Sequence, residues 1–149
     1  MAASLRKCAY ATAARPNFQA DYFVFLRCSE WCAYCTRFRP VAFNAAREMM
    51  KDNRVTFIYV SSDYSRESAK ELFYTKYKSR DIPVIMESDL PGNPAHPPFF
   101  GLPFVHVMDK YGRVVVGGTQ DIQNWRRYTI DKGTPKPPAG SEQTGIKLI

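Results

Sequence analysis

Tyr22-Phe23-Val24-Phe25-Leu26-Arg27-Cys28-Ser29-Glu30-Trp31-Cys32-Ala33-Tyr34-Cys35 passes from an aromatic and branched apolar run into an Ala-, Arg- and Met-rich stretch. The apolar run predicts a buried strand over 20–26. The stretch after it predicts a helix over 32–51 with Phe38, Val41, Ala42, Ala45, Met49 and Met50 as its apolar positions. Pro40 is expected to kink that helix. Cys32 and Cys35 therefore fall at a strand-to-helix junction, a placement suited to dithiol chemistry. Unpaired backbone N–H groups and the positive end of the helix dipole stabilise a thiolate there, so Cys32 is expected to be more acidic than a free cysteine. Cys35, one turn further in, is expected to be buried, where it can resolve a mixed disulfide formed at Cys32.

Working outward, the β-branched and aromatic run over 55–60 predicts a second strand. Ser65-Arg66-Glu67-Ser68 opens a predicted helix over 65–78, with Leu72, Phe73 and Tyr77 on its apolar side. Strand, helix, strand in this order implies a parallel pair. Pro91, Gly92, Pro94, Pro97 and Pro98 forbid regular structure over 89–101 and mark a long surface loop. The runs 104–108 and 114–116 flank Asp109-Lys110-Tyr111-Gly112-Arg113, which reads as a hairpin with Gly112 at the tight position. A last helix is expected over 121–130, containing Trp125, and Pro135-Lys136-Pro137-Pro138 lies in an extended tail. The fold class is α/β, a central mixed sheet flanked by helices. It divides into an N-terminal arm over 1–19, one domain over 20–131 and a tail over 132–149.

With 149 residues, 45% of them hydrophobic, the chain can bury one core but not two. No apolar run approaches the roughly 20 residues that a membrane-spanning helix needs. Four cysteines, of which only Cys32 and Cys35 are closely paired, do not make a disulfide scaffold, and a reducing compartment fits them better. Residues 1–20 carry Arg6, Lys7 and Arg15 with no acidic residue before Asp21, the composition of a mitochondrial transit segment. The expected location is mitochondrial, with the cytoplasm as the alternative. Net charge is +7, and the first 51 residues hold eight Lys/Arg against three Asp/Glu. That excess is either a leader plus a solvated helix face or a basic surface that attracts acidic protein or RNA.

The order strand, Trp-Cys-x-x-Cys helix, strand, helix, proline-led strand, hairpin, helix resembles the thioredoxin family over about residues 20–130. Within it, Cys35-Thr36-Arg37-Phe38-Arg39-Pro40 and Tyr59-Val60-Ser61-Ser62-Asp63 resemble the tryparedoxin and nucleoredoxin branch. The resemblance implies a thioredoxin-like fold and a redox-active disulfide between Cys32 and Cys35. Gly101-Leu102-Pro103-Phe104 is similar to the family's Ile-Pro-Thr segment, which implies a cis peptide before Pro103, facing Cys32. Leu102 and Pro103, with Trp31, Ala33 and Tyr34, would then meet a substrate strand. Three departures stand out. Leu26 occupies the register of thioredoxin's buried aspartate, Ala33-Tyr34 separates the cysteines, and the first β-α unit is reduced to an arm while a Pro-rich loop is inserted before Pro103.

Cys28-Ser29-Glu30-Trp31-Cys32-Ala33-Tyr34-Cys35 also has the Cys-x3-Cys-x2-Cys spacing of radical S-adenosylmethionine enzymes. The barrel that encloses such a cofactor takes about 250 residues, more than this chain has. A zinc site of Cys28, Cys32, Cys35 and either His96 or His106 lacks the second close ligand pair of a zinc ribbon. His106 alternates with Phe104 and Met108 and reads as a packed side chain. Cys8 and Cys28 read as small hydrophobes, and Arg37 and Arg39 as solvated helix residues. No metal or cofactor is implied. Two functions remain. One is a thiol–disulfide oxidoreductase, held in a larger complex, that acts on protein disulfides and is re-reduced by an external dithiol. The other is a non-catalytic thioredoxin-fold subunit of a large mitochondrial assembly such as the ribosome or a respiratory complex.

Overall fold

The computed structural model describes residues 2–89 and 102–139. Strand β1 (Tyr22–Cys28) is buried along its whole length and lies at the centre of a five-stranded sheet. A strand covered on both faces is apolar without alternation, which is why its sequence reads as a continuous hydrophobic run. Parallel β2 (Val55–Ser61) flanks it on one side and antiparallel β4 (Phe104–Asp109) on the other. Parallel β3 (Val84–Met86) and antiparallel β5 (Val114–Thr119) complete the order β3-β2-β1-β4-β5. β1 starts and ends two residues later than expected, because Arg27 and Cys28 pair with Val60 and Ser61. That shift moves Cys28 out of the loop and into the sheet.

The β4–β5 turn forms where expected. Gly112 takes a positive φ of 84°, and Asp109 accepts hydrogen bonds from the Tyr111 N–H (2.9 Å), the Arg113 N–H (3.0 Å) and Arg113 Nε (2.7 Å). β3 escaped the sequence reading because only three residues pair, directly after Pro83, too few for a period to show.

One face of the sheet presents Val24, Leu26, Cys28, Phe57, Tyr59, Val84, Val105 and Val107. Across it lie α2 (Ala33–Met49), α3 (Arg66–Glu71) and α4 (Trp125–Tyr128). Phe43, Tyr59, Phe73 and Tyr77 interlock there, most of them edge to face. Ser65 and Ser68 cap α3 reciprocally, each backbone N–H bonded to the other's hydroxyl at 3.1 Å. The helix expected to run to residue 78 instead widens after Glu71 into a π turn over Leu72–Lys76, closed by the Tyr77 N–H on the Leu72 carbonyl at 2.7 Å. The last predicted helix is likewise split into the 3-10 turn Ile122–Asn124, α4 and the 3-10 turn Ile130–Lys132.

The opposite face, with Phe23, Phe25, Ile58, Val60, Ile85 and Met108, is covered by the N-terminal arm. The short helix α1 (Ala2–Arg6) inserts Leu5 into this layer. Tyr10 then pairs antiparallel with Ile85, the Ala11 N–H bonds the Val84 carbonyl at 2.8 Å, and the Thr12 hydroxyl bonds the Ile82 carbonyl at 2.6 Å. The segment set apart in sequence as residues 1–19 thus packs on the sheet and pairs with its edge. The start of the tail is tied down by the Tyr22 hydroxyl on the Gly133 carbonyl (2.7 Å) and by Arg113 on the Lys136 carbonyl. The Pro-rich loop and the end of the tail lie outside the described residues. Among those described, no helix is long and apolar enough to cross a membrane.

Candidate active site

The dithiol sits where β1 hands over to α2. Ser62 and Asp63, just past the end of β2, fix the connecting loop. The Asp63 carboxylate accepts the Glu30 N–H at 2.7 Å and the Ser61 hydroxyl at 2.8 Å, and the Trp31 indole donates to the Ser62 carbonyl at 3.4 Å. Cys32 then caps α2, its sulfur accepting the Cys35 N–H at 3.3 Å. Through these bonds the polar end of one strand, Ser61-Ser62-Asp63, holds the loop leaving its neighbour.

Cys32 is 8% exposed and Cys35 is sealed. All four cysteines are free thiols. The Leu102–Pro103 peptide is cis, as the resemblance implied, and Cys32 Sγ lies 3.5 Å from the Leu102 carbonyl oxygen. The structure thus brings Cys32, Cys35, Leu102 and Pro103 together. Trp31, Ala33 and Tyr34 stand around them on the surface, with Trp31 60% exposed and Tyr34 stacked under Arg37 at 5.1 Å.

The expected acidity is reversed. Cys35 is brought down to about 6, first by a side-chain hydrogen bond with Cys28 and then by bonds with Cys32 and the Ser29 backbone and by the Arg39 charge, all against the cost of burial. Cys32 is pushed up, by burial first and then by sharing its hydrogen bond with Cys35.

Two residues read as inert in sequence belong to this arrangement. Cys28, fully buried at the end of β1, lies in the same hydrophobic core as Cys32 and Cys35. Arg39 is not solvated: it is buried, donates to the Ser29 carbonyl (3.0 Å), the Thr36 hydroxyl (3.2 Å) and Glu30 (3.3 Å), and lies 4.5 Å over the Tyr77 ring. Glu30 also binds Lys76 and Tyr77; these bonds outweigh its burial and hold its carboxyl below the usual range. The pattern that betrays Cys28 is strand alternation, which puts it on the same side as Val24 and Leu26, under α2. His106 stacks on Phe25 at 4.8 Å, on the arm side of the sheet, so it cannot join the three cysteines around a metal. His96 lies outside the described residues, and among those described no cluster of three metal-ligating side chains is placed to hold an ion.

No protein-family model and no curated protein matches the sequence. Solved structures match the fold. StoA from Bacillus subtilis superposes with a TM-score of 0.55 at 12% identity, over 73% of this chain and 82% of that one. The thioredoxin domain of a thiol-disulfide oxidoreductase from Bacteroides vulgatus gives 0.57 at 16% identity, over 80% and 83%. Thioredoxin from Wuchereria bancrofti gives 0.56 at 18%, over 87% and 83%. Sheet order, the Cys-x-x-Cys at the first strand-to-helix junction and these superpositions agree: the chain has a thioredoxin-like fold.

Proposed function

We propose that this chain is a thiol–disulfide oxidoreductase acting on protein disulfides. The observation that carries the reading is the pairing of an edge thiol, Cys32, with a sealed and acidic one, Cys35, beside the Leu102 carbonyl. The proton of Cys32 passes to the Cys35 sulfur, and the Cys32 thiolate attacks one sulfur of the substrate disulfide. That S–S bond breaks, one substrate thiolate leaves and takes a proton from water, and a mixed disulfide remains on Cys32. Cys35 then attacks the Cys32 sulfur, and its proton goes to the second departing substrate sulfur. Two electrons have moved from the dithiol to the substrate, and an external dithiol must return them.

Trp31, Ala33, Tyr34, Leu102 and Pro103 form the rim on which an extended substrate segment docks. A cleft of about 450 Å³ between Trp31, Tyr64, Leu72 and Lys76 continues that rim toward the π turn. The residues Cys35 to Pro40 and Tyr59 to Asp63 support a tryparedoxin-like reading within the wider fold class. The exposed aromatics Trp31, Tyr34 and Tyr64 favour a second reading, in which the same face is covered by a partner in a mitochondrial assembly and the cysteines are idle.

Turnover of a protein disulfide by the purified chain with excess dithiol decides between them. Activity above the uncatalysed rate that vanishes in Cys32→Ser supports exchange. A folded wild-type chain no faster than background supports the scaffold.

A further inference from the structure

A second cleft, of about 420 Å³, lies between α2 and the chain that leaves the π turn. Lys76 is the one side chain it shares with the cleft beside Trp31, and the two have opposite character. Glu30, Asp63 and Glu71 line the first. Among the described residues the second has no carboxylate on its wall and three cations, Arg39, Arg47 and Lys76. Arg39 is fixed: its side chain is 6% exposed, bonded to Ser29, Thr36 and Glu30 and stacked on the Tyr77 ring. Arg47 is exposed, donates from Nη2 to the Ser79 hydroxyl at 3.1 Å and meets no carboxylate among the described residues. Ser79 is itself buried, its hydroxyl donating to the Tyr77 carbonyl at 3.1 Å and its N–H to the Phe73 carbonyl at 2.9 Å. Lys78, between Tyr77 and Ser79, takes a φ of 51°, in the left-handed region that favours glycine. Two departures from regular backbone, the π turn and Lys78, thus meet on one wall of this cleft.

We propose that this cleft binds a phosphate monoester non-covalently, with the phosphate on the basic side chains and the organic group against Phe43 and Tyr77. Charge selects the ligand class. Arg39 and Lys76 share one counter-charge, Glu30, so three cations less one carboxylate leave a net charge of +2. A phosphate monoester carries about −1.5 to −2 at neutral pH and matches it, whereas a single carboxylate leaves one charge unmet. Arg47 and Lys76, both exposed, meet the phosphate directly, and the buried Arg39 guanidinium adds its charge from the floor. A guanidinium fork pairs with two phosphate oxygens at once, and among the described residues Arg47 gives up to Ser79 only one of its five N–H groups. The Asn44 amide lines the same cleft as a further donor. The volume is that of a site for a small organic molecule, larger than the phosphate group needs. Pro40, Phe43 and Tyr77 supply the apolar wall for the rest, the two rings standing edge to face at 6.0 Å.

The test titrates phenyl phosphate into the full chain by calorimetry at fixed ionic strength, with inorganic phosphate and phenol run as its two halves. Phenyl phosphate should saturate a single site. Arg47→Ala, at an exposed position, should weaken that binding about tenfold or more, and Arg47→Lys, which keeps the charge but not the fork, should fall between. Arg37→Ala removes the same charge from the other side of α2 and should leave the affinity within about twofold of wild type. Heat that fails to saturate by about 10 mM, unchanged binding in Arg47→Ala, or equal losses in Arg47→Ala and Arg37→Ala would each overturn the proposal. Inorganic phosphate held as tightly as phenyl phosphate would overturn the role given to Phe43 and Tyr77 and make the free anion the ligand. Amide shifts in nitrogen-15 spectra should centre on Asn44, Arg47 and Ser79, and shifts confined to the Trp31 rim would sink the assignment of the cleft. None of these readouts needs turnover, so the result stands apart from the success or failure of the exchange reaction.

Discussion

Leu5→Ala measures how far the N-terminal arm belongs to the fold. Leu5 is 2% exposed and packs among Phe23, Phe25, Ile58, Val60, Ile85 and Met108. Truncation removes three carbon groups at about 0.8 kcal/mol each, so the transfer term alone is about 2.4 kcal/mol. A cavity adds to this where its walls are rigid, as the strand residues are, and less where they can settle, as the arm can. The expected loss is about 2–3 kcal/mol. For a chain of this length each kcal/mol lowers the melting midpoint by about 4 °C, so circular dichroism should show a drop of about 8–12 °C. The urea midpoint should fall in step with the slope unchanged. Lys7→Ala, at an exposed position of the same arm, is the control and should stay within about 0.5 kcal/mol of wild type. A Leu5→Ala loss no larger than that control would refute the docking and return the arm to the leader-like role its composition suggests.

Gly118→Ala should destabilise by about 1–3 kcal/mol in urea titrations, since its Cβ would stand 2.3 Å from the Phe104 ring, which is buried and cannot swing aside. Asp109→Ala strips the acceptor from two backbone N–H groups and from Arg113, and should cost about 2 kcal/mol by the same assay. In the reduced protein, the lowered Cys35 ionisation adds stability that is fully present above the ordinary thiol value of 9.0 and lost as pH falls to about 6. Its size is at most about 4 kcal/mol. Urea midpoints of wild type should therefore rise across that window and those of Cys35→Ala should not. Trp31→Ala, at a 60% exposed side chain, should raise KM for a protein disulfide several-fold and leave the melting midpoint in place.

The legible parts of this chain are those where one residue type repeats at the period of its element. The strand through Tyr22 to Leu26, the helix after Cys32, the strand through Val55 to Val60 and the Gly112 hairpin all announce themselves in this way, and their order suffices for the fold. What stayed hidden depends on neighbours far away in sequence. β3 has three residues and exists because β2 and Tyr10 of the arm pair with it. The π turn over Leu72–Lys76 buries Phe73 while Tyr77 meets Glu30 and Arg39, a compromise that no local pattern encodes. Arg39 looks solvated in a helical wheel because its partners are carbonyl and carboxylate oxygens at Ser29 and Glu30, on the preceding loop.

The same lesson decides the chemistry of the dithiol, and there magnitudes choose between two sound arguments. A helix N-terminus stabilises an anion by about 0.3–1 kcal/mol at exposed sites, less than one unit of acidity. Each hydrogen bond to a charged group contributes about 1.5–3 kcal/mol. Cys32 receives the helix end and the Cys35 N–H, but it also stands 3.5 Å from the Leu102 carbonyl, an acceptor that favours the protonated thiol. Cys35 receives Cys28, Cys32, the Ser29 backbone and the Arg39 charge together. The inner site wins on number of donors. A nucleophile must nevertheless meet its substrate, and only Cys32 reaches the surface. Acidity and access are thus divided between two cysteines linked through the Cys35 N–H on Cys32 Sγ, so in the proposed exchange the Cys32 proton has to leave before any bond to its sulfur is made. On the proposed exchange reaction, a substrate that docked on the Trp31 and Leu102 rim and took up the Leu102 carbonyl would remove the acceptor that the Cys32 thiol faces at 3.5 Å. Docking and deprotonation would then be one event in that reaction, and the thiol would keep its proton until a disulfide arrived to receive it.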